Sequence, residues 1–175
     1  MANTWRATSQ GIAWASGKSM LDVFNAAASS RFIRVYRMYL FNNGTASVSG
    51  VLTEVRVTRI TAASGGTGVT PVAHDTSNAA LNANTTAGTG RTVTDDALFR
   101  QLIYSNDEPA VSGSSMDEWE LLVPFAEIWN SGYGDSNVQP LTAVSGTAQG
   151  YHIKNQGTTA VGSASAEIEF TDSAS

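Results

Sequence analysis

The chain contains no cysteine and little charge. None of its 175 residues is Cys, and charged residues make up 14% of it, against about 25% in typical soluble domains. The absence of Cys excludes disulfide bonds, thiolate metal ligands and a cysteine nucleophile. Lysine is also rare, with two Lys beside eight Arg. Together with a pI of about 4.8, this scarcity opposes binding to nucleic-acid phosphates, and no nucleic-acid partner is predicted.

Long apolar runs are missing as well. No stretch approaches the roughly 20 apolar residues that a membrane helix needs. Residues 1–14, MANTWRATSQGIAW, lack the basic segment and apolar run of a signal peptide. We therefore expect a protein that has no membrane partner and that either is made and kept soluble or reaches its final location by assembly rather than secretion.

Sequence signatures of common active sites are absent: there is no G-x-S-x-G, G-x-x-x-x-G-K-[ST] or H-E-x-x-H. A metal site or a glycosidase pair would have to be built from scattered groups. Those groups are His74, His152, Asp117, Glu118, Glu120 and Glu127. Trp119 and Trp129 could stack on sugar rings beside the carboxylates, but nothing specific identifies a general acid. We therefore predict no enzyme activity, no catalytic residues, no cofactor and no metal.

Small residues fill the place of the missing charges. Ala 24, Ser 20, Thr 19, Gly 16 and Asn 11 together make up 90 of the 175 residues. Between them lie runs rich in β-branched and aromatic residues, which are typical of strands. The clearest are residues 31–43 and 51–62, with Asn43-Gly44 as a strong turn signal between them. These two runs predict a long antiparallel hairpin over residues 31–62.

The remaining runs predict an all-β fold, an antiparallel, jelly-roll-like β-sandwich of about eight strands. An N-terminal arm or first strand region covers residues 1–30, and a single sandwich domain covers 31–175. A long, ordered loop is expected at 63–97. The helix candidates are residues 21–28, one turn after Asp75 and, as an alternative to a strand, 97–105. Further strands are expected within 4–15 and at 119–124, 141–144, 150–155 and 164–171.

Charge and aromatic residues predict where the chain meets other molecules. Residues 1–60 carry seven basic and two acidic residues, and residues 61–175 carry three basic and thirteen acidic ones. Such halves either form complementary surfaces or interleave within one fold. Arginines between aromatic residues favour pairing with carboxylates at an interface. The predicted interface residues are Trp5, Trp14, Arg31, Arg34, Arg37, Tyr39, Trp119 and Trp129.

Three segments resemble small structural proteins of tailed-phage virions. They are RFIRVYRMYLFNNGTASVSGVLTEVRVTRITAASGGTGVTPVAHD, SNDEPAVSGSSMDEWELLVP and GYGDSNVQPLTAVSGTAQGYHIKNQGTTAVGSASAEIEFTD. The resemblance covers most of residues 30–172. It lies in the composition of these segments and in the order in which they follow one another. It implies a capsid decoration (cement) protein with a jelly-roll-like core, a homotrimer bound to the major capsid protein. Its location would be the outer capsid surface of the virion, after synthesis in the host cytoplasm.

Two other functions stay open. One is a carbohydrate-binding or host-recognition β-sandwich module of a head fibre or tail, with a glycan on Trp119, Trp129 or Tyr133. The other is an enzyme, which requires His74 or the carboxylates of residues 117–127 to converge in a pocket.

Overall fold

The computed structural model confirms an all-β sandwich. It describes residues 3–42, 52–105, 127–132, 138–157 and 163–174, and these form two antiparallel sheets with no helix among them. The described residues therefore contain no helix that is long and apolar enough to span a membrane.

Twelve strands occur in the described residues. They are β1 (Asn3–Ala13), β2 (Ser19–Asn25), β3 (Arg31–Asn42), β4 (Leu52–Ser64), β5 (Thr67–Val69), β6 (Val72–Ala73), β7 (Thr85–Thr89), β8 (Thr92–Ser105), β9 (Glu127–Asn130), β10 (Leu141–Ala143), β11 (Gln149–Asn155) and β12 (Ser163–Ala174).

The strands pair in a nested order. Sheet A runs β10-β3-β12-β1-β6, with β9 also pairing with β3, and sheet B runs β5-β7-β2-β11-β4-β8. The first strand pairs with the last, β2 with β11, β3 with β10, and β4 with β8. The chain thus resembles one long antiparallel hairpin rolled into two layers, closed by the β12–β3 and β11–β4 pairs.

The predicted hairpin over residues 31–62 is wrong. β3 lies in sheet A and β4 in sheet B, so these runs face each other across the core instead of pairing edge to edge. Both carry enough buried apolar side chains to line opposite walls of one core. The helix predicted for residues 21–28 is also wrong, because β2 covers residues 19–25.

The long loop predicted for residues 63–97 is wrong as well. This stretch contains β5, β6, β7 and the start of β8. β7 adds to sheet B beside β2, and β6 adds to sheet A beside β1. Short strands of Thr, Ala, Gly and Val therefore extend both sheets on the same side of the sandwich. The expected turn after Asp75 is not helical, and Asp75 accepts a hydrogen bond from the Ser77 backbone N–H at 2.8 Å.

The N-terminal residues are part of the sandwich. β1 lies inside sheet A between β12 and β6, and β2 lies inside sheet B between β7 and β11. Trp5 and Trp14 are buried, with 7% and 1% of their surface exposed, and both belong to the main hydrophobic core. Within this chain the two tryptophans therefore pack the sandwich interior.

Substitution of Ile168 tests how much the central strand β12 contributes to stability. It is fully buried on β12, between Ala7 of β1 and Met38 of β3. We expect Ile168→Ala to lower the free energy of unfolding by about 2–5 kcal/mol, because it removes buried methyl groups and leaves a cavity. Val72→Ala, at a position that is 68% exposed, should change it by less than about 0.5 kcal/mol. Urea titration measures both, and equal effects would contradict the assignment of Ile168 to the core.

Candidate functional site

One irregularity in β3 sorts its side chains between the two faces of sheet A. Arg37 pairs with Glu169 and Val35 pairs with Phe170, so Tyr36 is an extra residue in the ladder. A bulge of this kind shifts the alternation of side chains by one position. As a result Ile33, Val35, Met38 and Leu40 all point into the core and are buried.

The same bulge collects arginines and aromatic rings on the outer face of sheet A. We call this surface the arginine–aromatic face. Its residues are Arg6, Phe32, Arg34, Arg37, Tyr39 and Phe41, and each is partly or largely exposed. Without the bulge, Arg34 and Arg37 would lie on opposite faces of β3, because their separation of three is odd.

The aromatic rings hold the side chains of this face in place. The guanidinium carbon of Arg34 lies 5.2 Å from the centre of the Phe32 ring, in a cation–π contact. Arg34 also donates a hydrogen bond to the Ser173 hydroxyl at 2.5 Å. The rings of Tyr39 and Phe41 stack with their centres 6.1 Å apart. Such preordered groups lose little side-chain entropy when another molecule binds.

The acids of the face are neutralised by arginine. Arg6 donates to Glu169 and lies 3.5 Å from a carboxylate oxygen of Glu167. The hydrogen bond to Glu169 raises the pKa of Arg6, and a hydrogen bond with Tyr39 raises the pKa of Arg37. Both arginines thus stay charged at any ordinary pH. The face combines cationic forks with flat apolar rings, a chemistry that suits carboxylate-bearing protein surfaces.

The structure brings together only part of the predicted interface. Arg34, Arg37 and Tyr39 share the arginine–aromatic face. Arg31, at the start of β3, lies 3.7 Å from a carboxylate oxygen of the buried Asp172. Trp5 and Trp14 lie in the core, as described above, and Trp119 lies outside the described residues. Arg6, Phe32 and Phe41 were missed. Arg6 joins this surface only through pairing across β12, which no local pattern reports.

Trp129 belongs to a different cluster. Its ring meets Phe99 of β8 edge to face with centres 6.1 Å apart, and Phe99 meets Tyr151 of β11 at 5.7 Å. Because Trp129 lies on β9 of sheet A, these rings bridge the two sheets. Trp129 is partly buried against the core, a position that suits packing better than stacking on a sugar. Tyr133 lies outside the described residues.

A row of polar groups crosses the outer face of sheet B. The Tyr151 hydroxyl donates to the Thr142 carbonyl of the opposite sheet, so Tyr151 points inward and its neighbour His152 points outward. His152 pairs with Asp22 on one side and Thr58 on the other. Gly88 and Leu98 continue the same level. We call Gly88, Asp22, His152, Thr58 and Leu98 the polar row, although its two end residues are apolar.

Arg91 covers one end of the polar row. It donates to Asp22 at 3.1 Å, to the Thr86 hydroxyl at 3.1 Å and to the Ala87 carbonyl at 2.8 Å. A Cβ at Gly88 would collide with this guanidinium, so a larger residue there would displace Arg91 from its present position. Ser19 donates to the other Asp22 oxygen at 3.1 Å. Burial nevertheless dominates and raises the pKa of Asp22 to about 6.

His152 occupies the centre of the row and is fully buried. Its Nε2 contacts the Thr58 hydroxyl and lies 3.1 Å from a carboxylate oxygen of Asp95. Lys154 donates to the other Asp95 oxygen at 2.5 Å. Burial lowers the pKa of His152, whereas the hydrogen bond from His152 holds the pKa of Asp95 below its usual range. His152 is therefore a neutral donor at neutral pH.

The polar row resembles a catalytic constellation in composition only. In a Ser/Thr–His–Asp relay the two partners use different ring nitrogens, whereas here Thr58 and Asp95 share Nε2. No described residue makes a hydrogen bond to Nδ1. Thr58 is 4% exposed, too little for a substrate to reach its hydroxyl. The geometry of the polar row therefore suits cross-linking of five strands better than catalysis.

The other groups considered for chemistry are scattered. His74 lies beside the start of β1, where its backbone N–H donates to the Thr4 carbonyl at 3.0 Å. Glu127 is exposed on β9 and accepts a hydrogen bond from Asn130 at 3.0 Å. Asp117, Glu118 and Glu120 lie outside the described residues. Within the described part of the chain, no three His, Asp or Glu side chains converge on a metal position.

Comparisons with protein-family models, with curated proteins and with solved structures return no match to this chain.

Acid should destabilise the protein through His152. The unfolded chain titrates near pH 6.5 and the folded pKa is lower, so between these values the unfolded state binds more protons. The stability from neutral His152 is therefore complete above about pH 6.5 and is lost as pH falls towards the folded pKa. Asp22 acts in the opposite sense, because its folded pKa is raised and proton uptake favours the folded state.

The His152→Gln variant separates the two groups, since both chains keep Asp22. We expect the difference in unfolding free energy, wild type minus variant, to shrink as pH falls from 7.5 to 5. Urea titrations across this range measure it. A difference that stays constant or grows towards acid would show that His152 is not held neutral by burial.

Proposed function

We propose that this protein is a structural component of a phage virion. More specifically, we propose a capsid decoration protein that binds the outer surface of the major capsid lattice and stabilises it. The proposal builds on the resemblance of its sequence to small virion proteins, on its strand pairing and on the arginine–aromatic face.

The nested strand pairing carries the proposal. Pairing of first with last, second with second-to-last and so on inward is the order of a jelly roll, a fold of viral capsid, lectin and cupin domains. Eight strands supply this order, four in each sheet: β1, β12, β3 and β10, and β2, β11, β4 and β8. A jelly roll by itself does not define a function, so the surface must supply the rest of the argument.

The arginine–aromatic face has the chemistry of a surface made to be covered by protein. Arg34 and the Phe32 ring present a planar cation on an apolar base, an arrangement common among residues that dominate binding energies. The arginines of this face recognise carboxylates through paired hydrogen bonds. The major capsid protein is the proposed partner, and the homotrimer implied by the resemblance remains part of the proposal.

Cryo-electron microscopy of the source virion tests the location. We expect density for this sandwich on the outer shell of the capsid. Density confined to the tail or to a fibre would overturn the decoration assignment. Binding in a glycan array would then favour the carbohydrate-recognition alternative.

Arg34 tests which surface meets the capsid. We expect Arg34→Glu to weaken binding to capsids that lack this protein by about tenfold or more, because it places a carboxylate against acidic groups of the partner. Arg56→Glu is the matched control, since Arg56 is a partly exposed arginine on the outer face of sheet B, paired with Glu54. Co-sedimentation with capsids measures both. Equal loss in the two variants would argue against the arginine–aromatic face.

A further inference from the structure

Arg34 differs from Arg6 on the arginine–aromatic face, because no described carboxylate neutralises its charge. Arg6 pairs with Glu169 and Glu167 of the same face. Arg34 forms no ion pair among the described residues. An unbalanced cation on a protein surface is complementary in charge to an anion that comes from outside the chain.

Two neighbours hold the Arg34 guanidinium in place. Phe32 lies two residues earlier on β3, and its ring makes the cation–π contact with Arg34. Ser173 of β12 pairs with Phe32 in the ladder, and its hydroxyl accepts a hydrogen bond from Nη1 of Arg34. All three side chains are partly exposed. The guanidinium is therefore oriented before anything binds, which reduces the entropy that binding costs.

The same group leaves hydrogen-bond donors free. A guanidinium has five N–H donors, and Ser173 is the one described acceptor that Arg34 contacts. Because the Ser173 hydroxyl accepts from Arg34, its own proton stays available, and no described residue accepts it. A guanidinium fork beside a hydroxyl matches the two oxygens of a carboxylate. The Phe32 ring offers an apolar surface to the carbon atoms next to that carboxylate.

We propose that Arg34, Ser173 and Phe32 form a seat for one carboxylate side chain, an Asp or Glu of the major capsid protein. The carboxylate accepts hydrogen bonds from the Arg34 guanidinium and from the Ser173 hydroxyl. This inference rests on the proposed virion function and deepens it, because it names the chemical group that the arginine–aromatic face receives. We call these three residues the carboxylate seat.

The charges around the carboxylate seat favour a carboxylate over a phosphate group. A phosphate monoester carries about 1.5 to 2 negative charges and is usually bound by a cluster of arginines. On this face Glu167 and Glu169 already occupy Arg6. Arg37 is engaged in a hydrogen bond with Tyr39. A single guanidinium with one hydroxyl suits a ligand with one negative charge.

A second copy of this chain is a poorer source of the carboxylate. Seven described acids already pair with basic side chains of their own chain: Asp22, Glu54, Asp95, Asp96, Glu167, Glu169 and Asp172. Each of these would have to leave its pair to reach Arg34 of another copy. A different protein has no such constraint, which is why the capsid protein is the proposed occupant.

Carbodiimide cross-linking on capsids that lack this protein tests the carboxylate seat. The reagent joins a carboxylate to an adjacent amine as an amide, with loss of water, and a guanidinium does not react. Arg34→Lys keeps the charge and supplies the amine. We expect an amide between position 34 and an Asp or Glu of the major capsid protein, identified by mass spectrometry of the linked peptides. Arg100→Lys is the matched control and should give no link to the capsid, because Arg100 is an exposed arginine of sheet B without a described ion pair.

Ser173→Ala tests the second donor of the carboxylate seat. We expect it to weaken binding to the same capsids about tenfold, because it removes a hydrogen bond to a charged group. Co-sedimentation measures the binding, and thermal unfolding verifies that each variant is folded. A folded Ser173→Ala variant that binds like the wild type would show that the hydroxyl takes no part.

The outcomes separate this inference from the proposed function. Wild-type protein that does not bind capsids overturns both. If wild type and Arg34→Lys both co-sediment with capsids and position 34 gives no link to the capsid protein, the carboxylate seat is overturned and the proposed function stands. A link from position 34 to a second copy of this chain, or an equal capsid link from Arg100→Lys, also overturns the carboxylate seat.

Discussion

Tyr36 is one residue more than β12 can pair with, and both faces of sheet A depend on it. Strict alternation along β3 would place apolar and charged side chains on each face in turn. Because of the extra residue, four apolar side chains of β3 all point into the core. The arginines and aromatic rings of β3 all point towards solvent. The core and the arginine–aromatic face are therefore two results of one backbone irregularity, and neither can change without the other.

The sequence predicts the fold class well and the strand partners poorly. Runs such as residues 150–155 and 164–171 became β11 and β12 nearly as expected, because alternation is a local signal. The prediction of a hairpin over residues 31–62 failed because the turn signal at Asn43-Gly44 indicates only that the chain changes direction. It does not indicate whether the next strand pairs with the previous one or lies in the opposite sheet. The predicted loop at 63–97 failed because strands of two to five residues with small side chains resemble coil.

The candidate sites show the same limit. Arg34, Arg37 and Tyr39 could be selected from composition, but their common face depends on the bulge, which leaves no signal in the residue pattern. The polar row could not be predicted at all, because Asp22, His152 and Thr58 come from three distant parts of the chain. Trp5 and Trp14 show that abundant large rings do not distinguish a core from an interface. Size and hydrophobicity are common to both.

The nested strand order also determines when the protein can fold during synthesis. β12 is the central partner of β1 and β3, yet it is the last strand of the sandwich to be translated. Until β12 has left the ribosome, β1 and β3 have no central neighbour. β1 therefore lacks this partner while strands β2 to β11 are synthesised. Topologies with such distant pairings fold slowly. The apolar side chains of β1 and β3 that the sandwich buries therefore stay exposed to water until β12 emerges.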